Sequence, residues 1–128
     1  MGTRPKVFSL HEANALLPEL ECLLTQLEAR QETFHRLHDE LFFAELLDPV
    51  SPPEGELQEL EDTLEEFERE IEKIRRLGCL LRHPERGRVD FLARKDQEWI
   101  YYCWQRGEEQ VQFYHSLHGG FFERRPIL

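Results

Sequence analysis

Apolar residues recur along the first third of the chain at alternating steps of three and four: Ala13, Leu17, Leu20, Leu24, Leu27, Phe34 and Leu41. That is the period of one helical face. The phase is broken at Gln31 and His38, polar seam positions that set register or face water. Leu16, Leu23 and Leu37 widen the stripe beyond what one partner helix needs, so further packing partners are expected. Ser9-Leu10-His11-Glu12 marks the start. It is a capping box in which the Ser9 hydroxyl accepts from the Glu12 amide and the Glu12 carboxylate reaches back. Pro18 falls inside the pattern, lacks a backbone donor and crowds the preceding turn, which predicts a kink or a break into a short first helix. From Ser9 to about Leu47 the helical stretch would run about 55 Å at ~1.5 Å per residue.

The pattern stops at Asp48-Pro49-Val50-Ser51-Pro52-Pro53-Glu54-Gly55, which reads as a loop near 48–55. Leu57, Leu60, Leu64, Phe67, Ile71 and Ile74 then repeat the three-four spacing without a gap, a narrow seam on an otherwise glutamate-rich helix. Acidic residues crowd its beginning and Lys73, Arg75 and Arg76 its end, as the helix dipole favours, and Gly78 is the natural cap. Two such seams joined by a short loop predict a long antiparallel, coiled-coil-like helical hairpin over 9–77, with Phe34 near Phe67 and Leu27 near Ile74.

Beyond the hairpin the period changes to two. Val89–Arg94, Glu98–Trp104 and Gln110–His115 read as strands, separated by turns at Lys95-Asp96-Gln97 and Arg106-Gly107-Glu108-Glu109. Alternation places Trp99, Tyr101 and Cys103 on one face of the middle strand and Ile100, Tyr102 and Trp104 on the other. Residues 86–128 are therefore expected to form a small three-stranded antiparallel β-meander closed by an irregular wrap through Gly119-Gly120 and Arg124-Arg125-Pro126. The fold class is α+β, in a single domain over 1–128.

Composition narrows the function. At 128 residues the chain holds one core, and its 26 acidic against 16 basic residues give a net charge of -10, which argues against nucleic acid as a partner. Arg82 to Arg88 and Arg124-Arg125 offer only a local basic strip. Three cysteines, Cys22, Cys79 and Cys103, are an odd and widely spaced set that forms neither a disulfide framework nor a zinc-ribbon pattern. The N-terminal residues carry no apolar signal region, and the apolar runs are too short to cross a bilayer, so no membrane insertion is expected and the cytoplasm is the expected compartment.

Several blocks together carry a resemblance. They are Phe8-Ser9-Leu10-His11-Glu12-Ala13-Asn14-Ala15-Leu16-Leu17-Pro18, Arg86-Gly87-Arg88-Val89-Asp90-Phe91, Cys103-Trp104-Gln105-Arg106-Gly107-Glu108, Phe113-Tyr114-His115, and Gly120-Phe121 with Arg124 and Pro126. In that order and at those distances the chain resembles a bacterial family of small proteins classified only as a domain of unknown function. The resemblance spans nearly the whole chain. It departs at Tyr114, where the family often has tryptophan, and in a bulkier tail. It implies the same arrangement of helices and sheet and supplies no activity.

Two features carry candidate chemistry. Asp90, Cys103, Glu108, His115 and Arg124 form the first: the meander order would bring Asp90, Cys103 and His115 onto neighbouring strands with Glu108 at the connecting turn, and a carboxylate beside an imidazole serves acid-base catalysis or a divalent metal. Asp90, Glu108, His115 and Cys103 are the catalytic candidates, with Cys103 as a nucleophile and His115 as its base. His115, Asp90 and Glu108 are the metal candidates, and Arg124, Trp104 and Glu12 the binding candidates. The structural alternative has Glu108 pairing with Arg106 or Arg124 and His115 donating to a buried carbonyl. The second feature is Leu41-Phe42-Phe43-Ala44-Glu45-Leu46-Leu47, in which six of seven residues are apolar and point all round the helix. Leu41, Phe42, Phe43, Leu46 and Leu47 are accordingly the expected interface, covered by a homodimer mate or a protein partner. The sequence thus supports an interaction module that self-associates or docks a partner, and, as the alternative, a small metal-dependent or acid-base enzyme or ligand-binding domain.

Overall fold

In the computed structural model, which describes residues 6–47 and 54–128, Ser9 caps the first helix with both bonds of the capping box in place. This helix, α1 (Leu10–Ala15), ends at Leu16, and α2 (Leu17–Leu47) starts at once. Pro18 therefore sits in the first turn of α2, where its missing donor costs nothing, and the expected break is what occurs. The helix α3 (Glu54–Arg76) packs along α2: Leu27 and Ile74 share one core, Phe34 and Phe67 line one groove, and Arg30 pairs with Glu66 at 3.1 Å. The expected loop lies outside the described residues, except Glu54 and Gly55, which are helical.

The helical faces differ from expectation in phase. Along α2, Leu17, Leu20, Leu24, Leu27 and Leu41 are buried, but Leu37 is buried in place of the seam position His38, which is exposed. Along α3 the buried positions are Thr63, Glu70 and Ile74, while Leu57 and Leu64 remain about two-fifths exposed. The helix keeps Phe67, Ile71 and Ile74 of its apolar stripe against the core but is turned enough to bury Thr63 and Glu70 as well, leaving Glu70 Oε2 buried without a partner.

The sheet has five antiparallel strands rather than three, in the order β1 (Leu80–His83), β2 (Arg88–Lys95), β3 (Glu98–Gln105), β4 (Phe113–Ser116) and β5 (Arg125–Pro126). The flanking strands β1 and β5 are short, and β1 carries a register shift between Leu81 and His83, so neither has a full alternation to announce it. The expected third strand begins later than Gln110 because the Val111 amide donates to Asn14 Oδ1 on α1 at 2.7 Å instead of to the sheet. One face of the sheet packs on the start of the helical layer: Val89, Phe91 and Trp104 join Phe8, Ala13, Leu17 and Leu24. Each large side chain so buried contributes about 1.5–3 kcal/mol of transfer free energy. No helix among the described residues is long and apolar enough to cross a membrane.

Candidate functional site

The other face of the sheet carries the chemistry. In the β2–β3–β4 register Asp90 lies opposite Cys103, and Tyr101, two residues back, lies opposite His115. Directly opposed residues share a face, as do residues two apart, so Asp90, Cys103 and His115 all project from this one. All three are buried, and one ligand-competent atom from each falls within 4.8 Å of the others. Leu117, Gly119, Gly120 and Phe121 of the tail form, with Asp90, Cys103, Arg82 and Arg88, the walls of a half-open cavity of about 330 Å³ beside the cluster.

Hydrogen-bond accounting fixes the imidazole. His115 Nδ1 is 2.7 Å from the Ser116 carbonyl oxygen, which can only accept, so this nitrogen carries a hydrogen and donates. In the neutral ring Nε2 then presents its lone pair, and it faces Asp90 Oδ2 at 3.1 Å. In that form two acceptors would face each other across the gap, whereas a protonated ring makes an ion pair there. The contact becomes attractive when a proton or a metal cation binds at Nε2. Arg82 Nε, 3.0 Å from the same carboxylate oxygen, offsets part of the charge from outside.

The same geometry gives no support to Cys103 as a nucleophile with His115 as base. His115 Nδ1 is spent on the Ser116 carbonyl, Nε2 faces Asp90 at 3.1 Å, and burial, reinforced by the Asp90 charge, pushes the thiol up to about 12, far from a ready thiolate. Cys103 is instead a third donor beside Asp90 and His115, a place the sequence reading gave to Glu108. Glu108 is taken up by the tail: it accepts the Gln105 amide at 2.7 Å and both terminal nitrogens of Arg124 at 3.0 and 2.8 Å. Arg124 is sandwiched between the rings of Phe113 and Phe121, at 4.1 and 4.2 Å, so the pair clamps the tail onto the β3–β4 turn. Trp104 is wholly buried and donates its indole N–H to the Glu108 carbonyl, which makes it core, not a stacking platform. Glu12 closes the capping box and pairs with Lys6 at 2.9 Å, apart from the cavity.

Arg88 was legible only as part of a basic strip. Its Nε donates to Gln105 Oε1 at 2.9 Å, and its plane lies over the Phe121 ring at 3.8 Å. Strand parity places it on the Asp90 face, a signal available from the sequence once β2 was drawn. The Ser116 carbonyl, a backbone group, left no sequence signal at all. Of the expected interface, Leu41 is buried, whereas Phe42, Phe43, Leu46 and Leu47 are 55%, 63%, 64% and 87% exposed.

A family model for DUF2203, an uncharacterized conserved protein, matches residues 6–127. The chain belongs to the DUF2203 family. Comparison with curated proteins and with solved structures returns no match. In this member of DUF2203 the blocks that carry the sequence resemblance supply the tail clamp, through Glu108, Phe113, Phe121 and Arg124, and part of the cavity wall, through Arg88, Asp90, Cys103, Gly120 and Phe121, while Arg82, Leu117 and Gly119 of the wall lie outside them.

Proposed function

We propose that this protein is a small metal-dependent enzyme whose site is the Asp90, Cys103 and His115 cluster under the C-terminal wrap. The observation that carries the reading is the convergence of carboxylate, thiol and imidazole donors within 4.8 Å, all buried. A nitrogen, a sulfur and an oxygen ligand suit a borderline-soft divalent ion, zinc above all. The Nδ1 contact to Ser116 supports it further, because metal-bound imidazoles are oriented by donating their other N–H to a carbonyl or carboxylate. A cation would also bring Cys103 in as thiolate, which its burial otherwise opposes. Asp90, Cys103 and His115 would hold such an ion with three protein ligands, and three ligands would leave it room for a water whose pKa it would lower, the chemistry that suits hydrolysis.

The test is the metal content of untagged protein purified without chelator. One zinc per chain is expected, retained on dialysis and lost in His115→Ala and Cys103→Ser. A metal-free protein whose melting temperature does not move on adding zinc would overturn the reading.

A second reading has its own support in the exposed apolar end of α2. It treats α2 and α3 as a coiled-coil-like hairpin that self-associates, and it is compatible with a site on the sheet.

A further inference from the structure

We infer that the cavity beside this cluster takes a small oxyanion, a phosphate or a carboxylate, held by Arg88 and Arg82. The inference rests on reading the cluster as the functional site and names the class of substrate it would serve. Its starting point is charge. In a chain with 16 basic and 26 acidic residues, cationic side chains are normally neutralised, and Arg30, Arg69, Arg75, Arg106 and Arg124 each have a carboxylate partner within 4.0 Å. Among the described residues Arg86, Arg88, Arg94 and Arg125 have no such partner, and of these four Arg88 is the one that is half-buried and stands in the cavity wall, while the other three are exposed.

Arg88 is also held ready. The Nε bond to Gln105 and the stack on Phe121 fix the plane of the guanidinium, while its terminal amino groups have no protein acceptor among the described residues. A planar fork fixed along one edge and free on the other is the form in which arginine binds carboxylate or phosphate through two parallel bonds. Arg82 supplies a second cation at the same cavity. Its Nε is spent on Asp90, and its guanidinium lies over the Tyr101 ring at 5.0 Å.

Among the residues that line the cavity two cations stand against the single Asp90 carboxylate, with Glu123, whose carboxylate approaches Gly119, offsetting part of that charge; in a protein of charge -10 this is where an anion meets the least repulsion. At about 330 Å³ the cavity is at the small end of ligand sites. It has room for a short compound, or the end of a larger one, bearing one oxyanion. Gly120 completes the wall without a side chain, and a Cβ added there would meet nothing within 4 Å.

The experiment is calorimetric titration of the full-length protein, metal-free and zinc-loaded, with inorganic phosphate and with succinate. The wild type is expected to bind one of them once per chain. Arg88→Gln should weaken that binding about tenfold or more, the loss expected for a charge-assisted pair. Because Arg88→Gln also removes the stack on Phe121, Gly120→Asp provides a second variant. It adds a carboxylate where there is room for one and should weaken binding equally, with zinc content and melting temperature unchanged. Preference for phosphate assigns phosphate esters as the substrate class, and preference for succinate assigns carboxylates. Zinc uptake with neither anion bound overturns the inference and leaves the metal reading standing. Anion binding lost in both variants, in a protein that takes no zinc, upholds the inference and removes the metal. Binding that both variants retain places the anion elsewhere and overturns the inference.

Discussion

Glu12 shows how much one side chain can be asked to do at the surface. Its carboxylate accepts from the Ser9 amide and pairs with Lys6, and the Lys6 hydrogen bond, followed by the Ser9 bonds, lowers its pKa to about 2 from an ordinary 4.5. A group whose folded pKa is depressed adds stability that is fully present above its unfolded value. That contribution decays as pH falls from 4.5 through 2. Glu12→Gln keeps the capping geometry and removes the charge. Urea titrations of the two proteins should therefore differ by a constant amount at neutral pH, and the difference should shrink as pH falls below about 4.5. A gap that stays constant down to pH 2 would show that the charge contributes nothing.

At the scale of elements, the clearest test lies where α3 ends. Gly78 adopts φ +94°, and a Cβ there would stand 2.7 Å from the Lys6 Cβ, while Gly55 in the first turn of α3 has open space. Gly78→Ala should cost about 1–3 kcal/mol, from the left-handed backbone and the crowding. Gly55→Ala should be neutral or stabilise by up to about 1 kcal/mol. Equal effects in chemical denaturation would mean that Gly78 is not the stop it looks to be. Such punctuation was legible in the sequence because it is local: the capping box, the break at Pro18, Gly78 and the turn at Asp96-Gln97 depend on residues that are neighbours in the chain. The short strands β1 and β5 were not, because each becomes a strand only by pairing with a longer neighbour. The phase of α3 was misread for a related reason. Positions 60, 63, 67, 70 and 74 keep the same three-four spacing as the apolar set, and tertiary packing, not pattern, buried Thr63 and Glu70 more fully than Leu64 and Ile71. At the site, strand order put Asp90, Cys103 and His115 on neighbouring strands, but the sequence left open whether they converge, and which of Glu108 and Cys103 completes the set depended on Arg124 arriving from the tail.

At the scale of the whole molecule, the self-association reading rests on apolar residues left exposed on α3 and at the end of α2. Leu57 and Leu64, seven residues apart, keep about two-fifths of their surface exposed, and Phe42, Phe43, Leu46 and Leu47 are exposed further still. A second copy packed along the two helices would cover both sets and form a four-helix arrangement. Electrostatics would oppose it, since each chain brings a charge of -10 and α3 is lined with glutamates. A dimer held by apolar contact against like charge should tighten as salt screens the repulsion, over a Debye length of about 8–10 Å at 0.1–0.15 M. Light scattering at micromolar concentration is therefore expected to give twice the 15.4 kDa chain mass, with the dimer fraction rising with salt. Phe42→Asp with Phe43→Asp should return it to monomer, and Leu64→Asp should do the same from the α3 side. Zinc content should be untouched in all of them, because the Asp90 cluster lies on the sheet and draws no residue from these helices. A monomer at every salt concentration would sink the self-association reading, and a dimer that dissociates as salt rises would show that ion pairs, not the exposed leucines and phenylalanines, hold it.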